Sequence, residues 1–335
     1  MKQRRVGSTD LSISEIGFGC GGNAGLMVSG EHAEQLRVIE RALECGITYF
    51  DNAPDYGAGA AELNLGRVLK ELDAEPVINT KVEIRAENLD DIAGHIVRSV
   101  EDSLRRLNRD SVDIVQIHNG PVARKPAMEG EYYATLWTED YHRTGGVLEG
   151  VNAILRQGKA RCAGFVCRGN DSSEVGQLLD TGLFHMVNVP YTLLNPSAGY
   201  PHPSGLGVKP DYGDVISKAQ AAGCGIAVFS PLAGGLLTDA ILNGQQTHPL
   251  ARKKNIEALE ARGALHKARE FQALAARENI ELVELAYRFI LGNTAVSSLL
   301  GGITAAEQLD AAAAASAAGP LPDNLLAEIE AIRRS

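Results

Sequence analysis

The sequence is short of paired cysteines, of positive charge and of long apolar runs. Its five cysteines, Cys20, Cys45, Cys162, Cys167 and Cys224, are an odd set without short paired spacing, so neither a disulfide framework nor a zinc pattern is visible. A reducing, cytoplasmic location is therefore expected. The formal net charge of -10 disfavours nucleic acid and anionic membranes as partners, since both require basic patches.

No apolar stretch predicts a membrane span or a secretory signal. The alanine-rich run near Ala311 is short and ends at Gly319 and Pro320. The first five residues are followed by no apolar segment of the kind that directs secretion. The chain has 335 residues, of which 44% are hydrophobic and 22% charged, a balance typical of a soluble globular protein with a large core.

Strand patterns alternate with helix patterns along the whole chain. Short apolar or β-branched runs predict eight strands, at 16–20, 47–51, 76–82, 112–118, 160–167, 185–189, 226–230 and 296–300. Helical periodicity predicts helices at 36–43, 60–72, 88–107, 147–156, 174–181, 215–222, 264–277, 282–291, 304–317 and 325–333. Residues 2–15 predict a β-hairpin that caps or plugs the fold, and residues 119–145, 191–212 and 234–262 predict largely irregular segments.

This alternation predicts an α/β fold, a closed (β/α)8 TIM barrel forming one domain over residues 1–335. A doubly wound sheet is the alternative. Such a sheet usually has a G-x-G-x-x-G turn after its first strand, and residues 17–22 do not fit that frame. In a barrel, reactive side chains lie at the carboxyl ends of the strands.

Three successive strands end in reactive side chains, Asp51, Lys81 and His118, and Tyr56 follows the first of them. Each has an ordinary structural explanation: Asp51 as a helix cap, Lys81 and Tyr56 as surface residues, and His118 as a satisfied rim histidine. Because all four converge on the mouth of a barrel, a joint catalytic role is favoured.

The four residues suit proton transfer coupled to a change at a carbonyl. A free tyrosine has a pKa near 10, and a nearby ammonium lowers it. Asp51 would hold Lys81 as an ion pair, and His118 would complete a donor pair with Tyr56 at the substrate oxygen. Tyr56 would then be the general acid in reduction and the general base in oxidation. A nicotinamide cofactor would have to supply the hydride.

These motifs resemble those of the aldo-keto reductase family. The matching segments, in order along the chain, are FDNAPDYG at 50–57, NTK at 79–81, VDIVQIH at 112–118 and GIAVFSPLAGGLL at 225–237. The resemblance implies a barrel with an N-terminal β-hairpin and extra C-terminal helices. It also implies a catalytic tetrad of Asp51, Tyr56, Lys81 and His118.

The resemblance further implies NADP(H) or NAD(H) across the barrel mouth. Phe229 would stack on the nicotinamide, Asn188 would hold its carboxamide, and residues 302–308 would border the adenosine. The implied cofactor contacts are Gly19, Cys20, Asp51, Asn188, Phe229, Ser230, Leu232, Gly234, Gly302, Ile303 and Gln308. A plain turn after the strand, with Phe229 as a core aromatic, is the alternative for the segment at 229–237.

Two departures from the family pattern concern the cofactor. Val166 and Cys167 stand where relatives usually have a Ser-Asn pair on the carboxamide; a redox-sensitive Cys167 is a rival interpretation. Residues 300–308 carry no Lys or Arg for a 2′-phosphate, so NADH or dual use is open.

Substrate clues are fewer. Trp137, with Tyr132, Tyr133 and Tyr141 around it, predicts an apolar wall or a sugar-stacking platform, and the loop at 192–211 a second wall. A self-packed loop or a subunit contact is the alternative. Residues 53–62 are similar to the aldose and pyridoxal dehydrogenase branch, which suggests sugars and aromatic aldehydes. No metal site is expected, and the oligomeric state is open.

Two other functions remain open. A barrel aldolase would use Lys81 as a Schiff-base nucleophile. A non-catalytic nucleotide-sensing subunit would keep the fold and the cofactor without turnover.

Overall fold

Eight parallel strands close into a barrel in the computed structural model, which describes residues 1–21, 25–123, 136–167, 172–199, 210–244 and 263–334. The barrel strands are β3 (Ile16–Gly19), β4 (Tyr49–Asp51), β5 (Val77–Val82), β6 (Val112–Ile117), β9 (Ala160–Val166), β10 (Met186–Pro190), β11 (Gly225–Phe229) and β12 (Val296–Gly301). They pair in that order, and β12 returns to β3 through Leu299 and Ile16. The predicted TIM barrel is confirmed.

Helices surround the barrel and bury their apolar faces against it. They are α1 (Leu26–Ser29), α2 (His32–Glu44), α3 (Ala60–Glu71), α4 (Ile92–Leu107), α5 (Thr138–His142), α6 (Val147–Arg156), α7 (Ser172–Asp180), α8 (Val215–Ala221), α9 (Asp239–Leu242), α10 (Ala264–Arg277), α11 (Leu282–Gly292), α12 (Ala306–Ala318) and α13 (Asp323–Arg334). Within the described ranges, no helix has the length and apolar character needed to cross a membrane.

The N-terminal hairpin closes the amino-terminal end of the barrel. Its strands β1 (Gln3–Arg5) and β2 (Ser12–Ser14) pair antiparallel. Val6, Leu11 and Ile13 are buried in one cluster with residues from the first halves of the barrel strands, such as Tyr49 and Ile114. The predicted plug is therefore present, and it lies opposite the strand ends that carry the tetrad.

Most predicted element boundaries shift by one or two residues, and three predictions need a larger correction. The helix predicted at 36–43 begins four residues earlier, at His32 of α2. The helix predicted at 88–107 begins as a 3-10 turn, Ala86–Asp91, and α4 starts where the Asp91 side chain accepts a hydrogen bond from the Gly94 N–H at 3.1 Å. The irregular segment predicted at 119–145 is wrong in its described part. There, β7 (Pro121–Val122) and β8 (Leu136–Trp137) pair, and α5 follows.

Candidate active site

The barrel brings the predicted catalytic residues together at one end. Asp51 is the last residue of β4, Lys81 lies near the end of β5, and His118 follows β6. Strand register sets Asp51 beside Asn79 and Lys81 beside Gln116, so the three strand ends are neighbours.

The loop that carries Tyr56 is shaped by local hydrogen bonds and glycine. The Asn52 side-chain oxygen accepts from the Ala53 N–H at 2.9 Å, and the Tyr56 N–H donates to the Ala53 carbonyl at 3.1 Å. Gly57 then takes φ +65°, and a Cβ there would lie 2.5 Å from Val28. The tight turn directs the chain back toward β5, which brings Tyr56 over Lys81.

Lys81 is the centre of the constellation. Its side chain is 2% exposed, and its Nζ donates to Asp51 Oδ1 at 2.5 Å, to the Asn52 carbonyl at 2.7 Å and to the Tyr56 hydroxyl at 3.3 Å. These contacts use all three ammonium hydrogens. One cation therefore joins the buried acid to the tyrosine.

The charge state of Lys81 follows from opposing effects on its pKa. Burial by itself lowers the pKa of the amine, but the negative charges of Asp51 and of an ionised Tyr56, with their hydrogen bonds, raise it by more. The pKa of Lys81 is thus held above its ordinary value. The ammonium stays charged beside the Tyr56 hydroxyl, where it favours the phenolate.

His118 is held against both Tyr56 and an acid that the sequence did not point to. Its ring meets Tyr56 edge-on, with centroids 6.2 Å apart and an interplanar angle of 79°. Its Nδ1 lies 2.9 Å from Glu83 Oε1, and the His118 N–H donates to the Val82 carbonyl at 2.8 Å. Glu83 stands two residues after Lys81. Period-two alternation on a strand could have placed it on the same inward face.

A closed ring of buried side chains supports the second oxygen of Asp51. Asn79 Nδ2 donates to Asp51 Oδ2 at 2.7 Å and to Gln116 Oε1 at 2.9 Å. Gln116 Nε2 donates to Asn188 Oδ1 at 2.8 Å, and Asn188 Nδ2 donates back to Asp51 Oδ2 at 3.1 Å. The ring spans four strands of the barrel interior, and it keeps the carboxylate turned so that its other oxygen meets Lys81.

Comparison with known proteins agrees with this geometry. The model of the aldo/keto reductase family matches residues 15–334. The chain belongs to that family. It is accordingly an NAD(P)-dependent oxidoreductase.

Three similar proteins illustrate the relationship. L-galactose dehydrogenase of Arabidopsis thaliana is 25% identical, covering 98% of this chain and 93% of the relative. NADH-specific methylglyoxal reductase of Escherichia coli (strain K12) is 26% identical, covering 92% and 91%. A solved aldo-keto reductase of Bacillus halodurans, in its holo form, superposes over 100% of both chains with a TM-score of 0.72 at 22% identity, which shows the shared fold.

The segment after β11, which was predicted to contact the pyrophosphate of a nicotinamide cofactor, has an unusual backbone. Phe229, at the end of the strand, is partly buried and packs against the cluster that contains Tyr49 and Ile114, so both interpretations of this residue stay open. Leu232 has φ -96°, whereas Ala233 and Gly234 are left-handed at φ +51° and +70°. Alternating backbone of this kind can form an N–H concavity that binds anions. Here the Ala233 and Gly235 N–H groups donate to the carbonyls of Ser230 and Leu232, each at 2.9 Å, so the pyrophosphate contact stays a prediction. Ser230, exposed and also left-handed at φ +50°, lies just outside the strand that was predicted to contain it.

The other implied cofactor contacts fall into different environments. Gly302 and Gln308 are exposed, while the Ile303 side chain is 2% exposed and packs in the core, so only its backbone is open to a ligand. Gln308 Oε1 accepts from the Thr304 N–H at 2.7 Å. Asn188 is 1% exposed and lies inside the amide ring, so its contact with the carboxamide stays a prediction.

Gly19 and Cys20 lie next to the tetrad at the end of β3. The Cys20 N–H donates to the Asp51 carbonyl at 2.9 Å. Burial, followed by the charge of Asp51, raises the pKa of the Cys20 thiol well above its ordinary value, so the thiol stays neutral. Both residues pack against the catalytic strand end, and their contact with cofactor stays a prediction.

Val166 and Cys167 are buried apolar side chains at the end of β9. They are 2% and 1% exposed, and the Cys167 N–H donates to the Asn188 carbonyl at 2.8 Å. A redox-sensitive thiol would need access to solvent, which the Cys167 side chain lacks.

The aromatic residues near the barrel mouth lie in different environments. Trp137 is 37% exposed in β8, on the segment that follows His118. Tyr141 is fully buried and its hydroxyl donates to the Asn119 carbonyl at 2.5 Å, so a place in an open aromatic wall is wrong for this residue. Tyr132 and Tyr133, and residues 200–209 of the loop at 192–211, lie outside the described residues.

Proposed function

We propose that the protein interconverts the carbonyl of an aldehyde, ketone or aldose with the corresponding alcohol, using Tyr56 as general acid and base. The observation that carries the proposal is the pair of contacts at Lys81 Nζ, which reaches Asp51 Oδ1 at 2.5 Å and the Tyr56 hydroxyl at 3.3 Å. An ammonium in that position makes the phenolate accessible at lower pH than in a free tyrosine.

The residues of the chain then have distinct tasks. A bound nicotinamide cofactor supplies the hydride to the carbonyl carbon in reduction and accepts it in oxidation. Tyr56 gives its proton to the oxygen in reduction and recovers it in oxidation. Lys81 stabilises the phenolate left on Tyr56, and Asp51 keeps Lys81 in place. His118 and Tyr56 together orient the substrate oxygen.

Small polar carbonyl compounds are the proposed substrates. Two similar proteins are named for L-galactose and for methylglyoxal, a sugar and a small dicarbonyl. The rim also carries an ion pair between Arg85 and Asp55, at 3.0 Å, close to Tyr56, and the half-exposed Trp137. A charged group and an indole surface suit a hydroxylated substrate better than a wholly apolar one.

NADH, or use of both cofactors, is proposed over strict NADPH dependence. Residues 300–308 offer no Lys or Arg to a 2′-phosphate, and one similar protein is named as NADH-specific. Comparing kcat/KM for NADH and NADPH with one aldehyde tests this point. An NADPH advantage of about a hundredfold would contradict it.

The aldolase alternative conflicts with the state of Lys81. A Schiff base needs a neutral amine, whereas Lys81 is ion-paired with Asp51 and its pKa is raised. Borohydride treatment in the presence of aldehyde should leave Lys81 unlabelled. A covalent adduct on Lys81 would support the aldolase instead.

A panel of aldehydes, ketones and aldoses, with each cofactor and in both directions, tests the proposed reaction. Turnover is followed by absorbance of the reduced nicotinamide. We expect oxidation or reduction of at least one small aldehyde or aldose. Cofactor binding without turnover on any member of the panel would favour the nucleotide-sensing alternative.

A further inference from the structure

Glu83 and His118 form a buried pair that the reaction as written leaves without a task. His118 Nδ1 is 2.9 Å from Glu83 Oε1, and the two side chains are 1% and 7% exposed. A carboxylate facing Nδ1 requires that this nitrogen carry a hydrogen, so the pair fixes which tautomer a neutral His118 adopts.

We propose that Glu83 is a positioning residue that decides whether His118 Nε2 offers a hydrogen or a lone pair to the substrate oxygen. This inference rests on the proposed function, since it assumes that His118 meets the substrate. It concerns whether the site favours reduction or oxidation, and it adds a residue that the tetrad does not include.

The number of protons that Glu83 and His118 hold together determines whether Nε2 is a donor or an acceptor. With one proton shared between Glu83 and His118, the carboxylate is ionised, Nδ1 carries the hydrogen and Nε2 is an acceptor. With a second proton, on either residue, Nε2 carries a hydrogen and becomes a donor. A carbonyl oxygen needs a donor, whereas an alcohol can donate its own hydroxyl hydrogen to an acceptor. Gaining the second proton therefore favours reduction, and losing it favours oxidation.

The surroundings of Glu83 place the gain or loss of the second proton near neutral pH. Burial is the main cause that raises the pKa of Glu83, and the negative charge of Asp55 is the second. Together they raise it to about 7. Lys81 and the backbone N–H groups of Glu83 and Asp55 act in the opposite direction. The pair exchanges its second proton as one coupled unit.

Other polar groups face the pair from the neighbouring elements. From the loop after β4 come Tyr56, edge-on to His118, and Asp55, which is paired with Arg85. From α4, His95 Nε2 lies 2.8 Å from the Glu83 carbonyl. Lys81 is on the same strand as Glu83 and stays bound to Asp51.

Nitrogen NMR of the histidine side chains tests the inference without turnover. Protein labelled with 15N-histidine is titrated, and the signal missing from the His118→Gln variant is assigned to His118 among the eight histidines. At pH values above the titration of the pair, where Glu83 is ionised, we expect neutral His118 to carry its hydrogen on Nδ1 in the native protein. In Glu83→Gln, the neutral ring should change toward the Nε2-protonated tautomer. A native His118 that carries its hydrogen on Nε2 at those pH values would overturn the inference.

The pH dependence of kcat/KM in both directions supplies the second readout. In the native enzyme, reduction should fall and oxidation should rise as pH increases through the titration of the pair. In Glu83→Gln, that inflection should move by about one pH unit or more, or disappear. An unchanged pair of pH profiles would contradict the role of Glu83.

Glu62→Gln is the matched control for loss of a buried carboxylate. Glu62 is fully buried on α3, where it pairs with Arg106 at 2.7 Å, and it is not part of the Glu83–His118 pair. Its variant should melt at a lower temperature but keep the native pH profiles; altered profiles would show that loss of any buried acid has the same effect. If Tyr56→Phe retains turnover, the proposed function fails, whereas the NMR result on His118 stands or falls by itself.

Discussion

Asp51 both balances the charge of Lys81 and holds that side chain in position. Its Oδ1 holds Lys81 at 2.5 Å, while its Oδ2 accepts two amide hydrogens, from Asn79 and Asn188. Hydrogen bonds to a carboxylate are stronger than those between neutral groups. The acid is therefore held by partners from two other strands, β5 and β10, and its fixed position in turn fixes Lys81.

Replacing Asp51 with Asn should cost both stability and turnover. Lys81 would lose its ion pair with Asp51 while buried, and breaking such a pair costs about 3–5 kcal/mol in the free energy of unfolding. Burial would then dominate the pKa of Lys81 and lower it, so the ammonium beside Tyr56 would be lost. We expect kcat to fall by about a hundredfold or more.

The double variant Asp51→Asn with Lys81→Met separates these two effects. Removing the unpaired cation should restore part of the lost stability, measured by urea unfolding, but none of the activity. A double variant less stable than Asp51→Asn alone would contradict the argument that a stranded charge causes the loss.

The tetrad residues were predictable as a converging set, but the side chains that support them were not. Strand ends and spacing were enough to bring Asp51, Lys81 and His118 together. Asn188 reaches Asp51 only because the barrel closes and sets two non-adjacent strands face to face across the interior. Pairing across a barrel has no local signal in a sequence, so the amide ring was missed and Asn188 was predicted only as a cofactor contact.

The loop after β11 depends on backbone conformations that most residues avoid. Ser230, Ala233, Gly234 and Gly235 all have positive φ. A β-branched side chain at Gly234 would strain the left-handed backbone by about 1–2 kcal/mol and disturb the N–H concavity. We expect Gly234→Val to weaken NADH binding, measured by fluorescence titration, by about tenfold.

Gly244→Val is the control for backbone strain alone. Gly244 has φ +72°, and a Cβ there would meet nothing within 4 Å. Its variant should lose similar stability but bind NADH as the native protein does. Equal losses of affinity in the two variants would remove the argument for a cofactor role of the loop.

The barrel separates a structural end from a reactive end. Arg4 bonds Glu15 at 2.8 Å and the carbonyls of Leu291 and Val296, each at 2.8 Å, which ties the hairpin to the last barrel unit. Glu15 is 1% exposed and would be left as a buried charge without Arg4. This network lies at the amino-terminal ends of the strands, far from Tyr56.

Arg4→Ala should therefore lower the melting temperature and spare catalysis. We expect a loss of about 3 kcal/mol in the free energy of unfolding, with kcat unchanged at a temperature where the variant is folded. Arg37→Ala, which removes a surface pair with Glu34, should change stability by less than about 0.5 kcal/mol. A large fall in kcat for Arg4→Ala would show that the two ends are coupled.

The barrel was predictable because each of its eight units repeats the same sequence pattern, a strand followed by a helix. Strand runs separated by amphipathic helices specify parallel pairing, and eight such units can close. The short pairing of β7 with β8 was not predictable, since strands of two residues carry no periodicity. Tyr141 was misjudged because its burial depends on a hydrogen bond to Asn119, on another segment.

The most direct test of the central claim is the turnover of Tyr56→Phe, followed by absorbance of the reduced nicotinamide with the best substrate of the panel. Phenylalanine keeps the ring against His118 and removes only the hydroxyl that Lys81 contacts. We expect kcat to fall by at least about a hundredfold, with cofactor affinity nearly unchanged. Turnover within about tenfold of the native enzyme would contradict Tyr56 as the proton donor and acceptor.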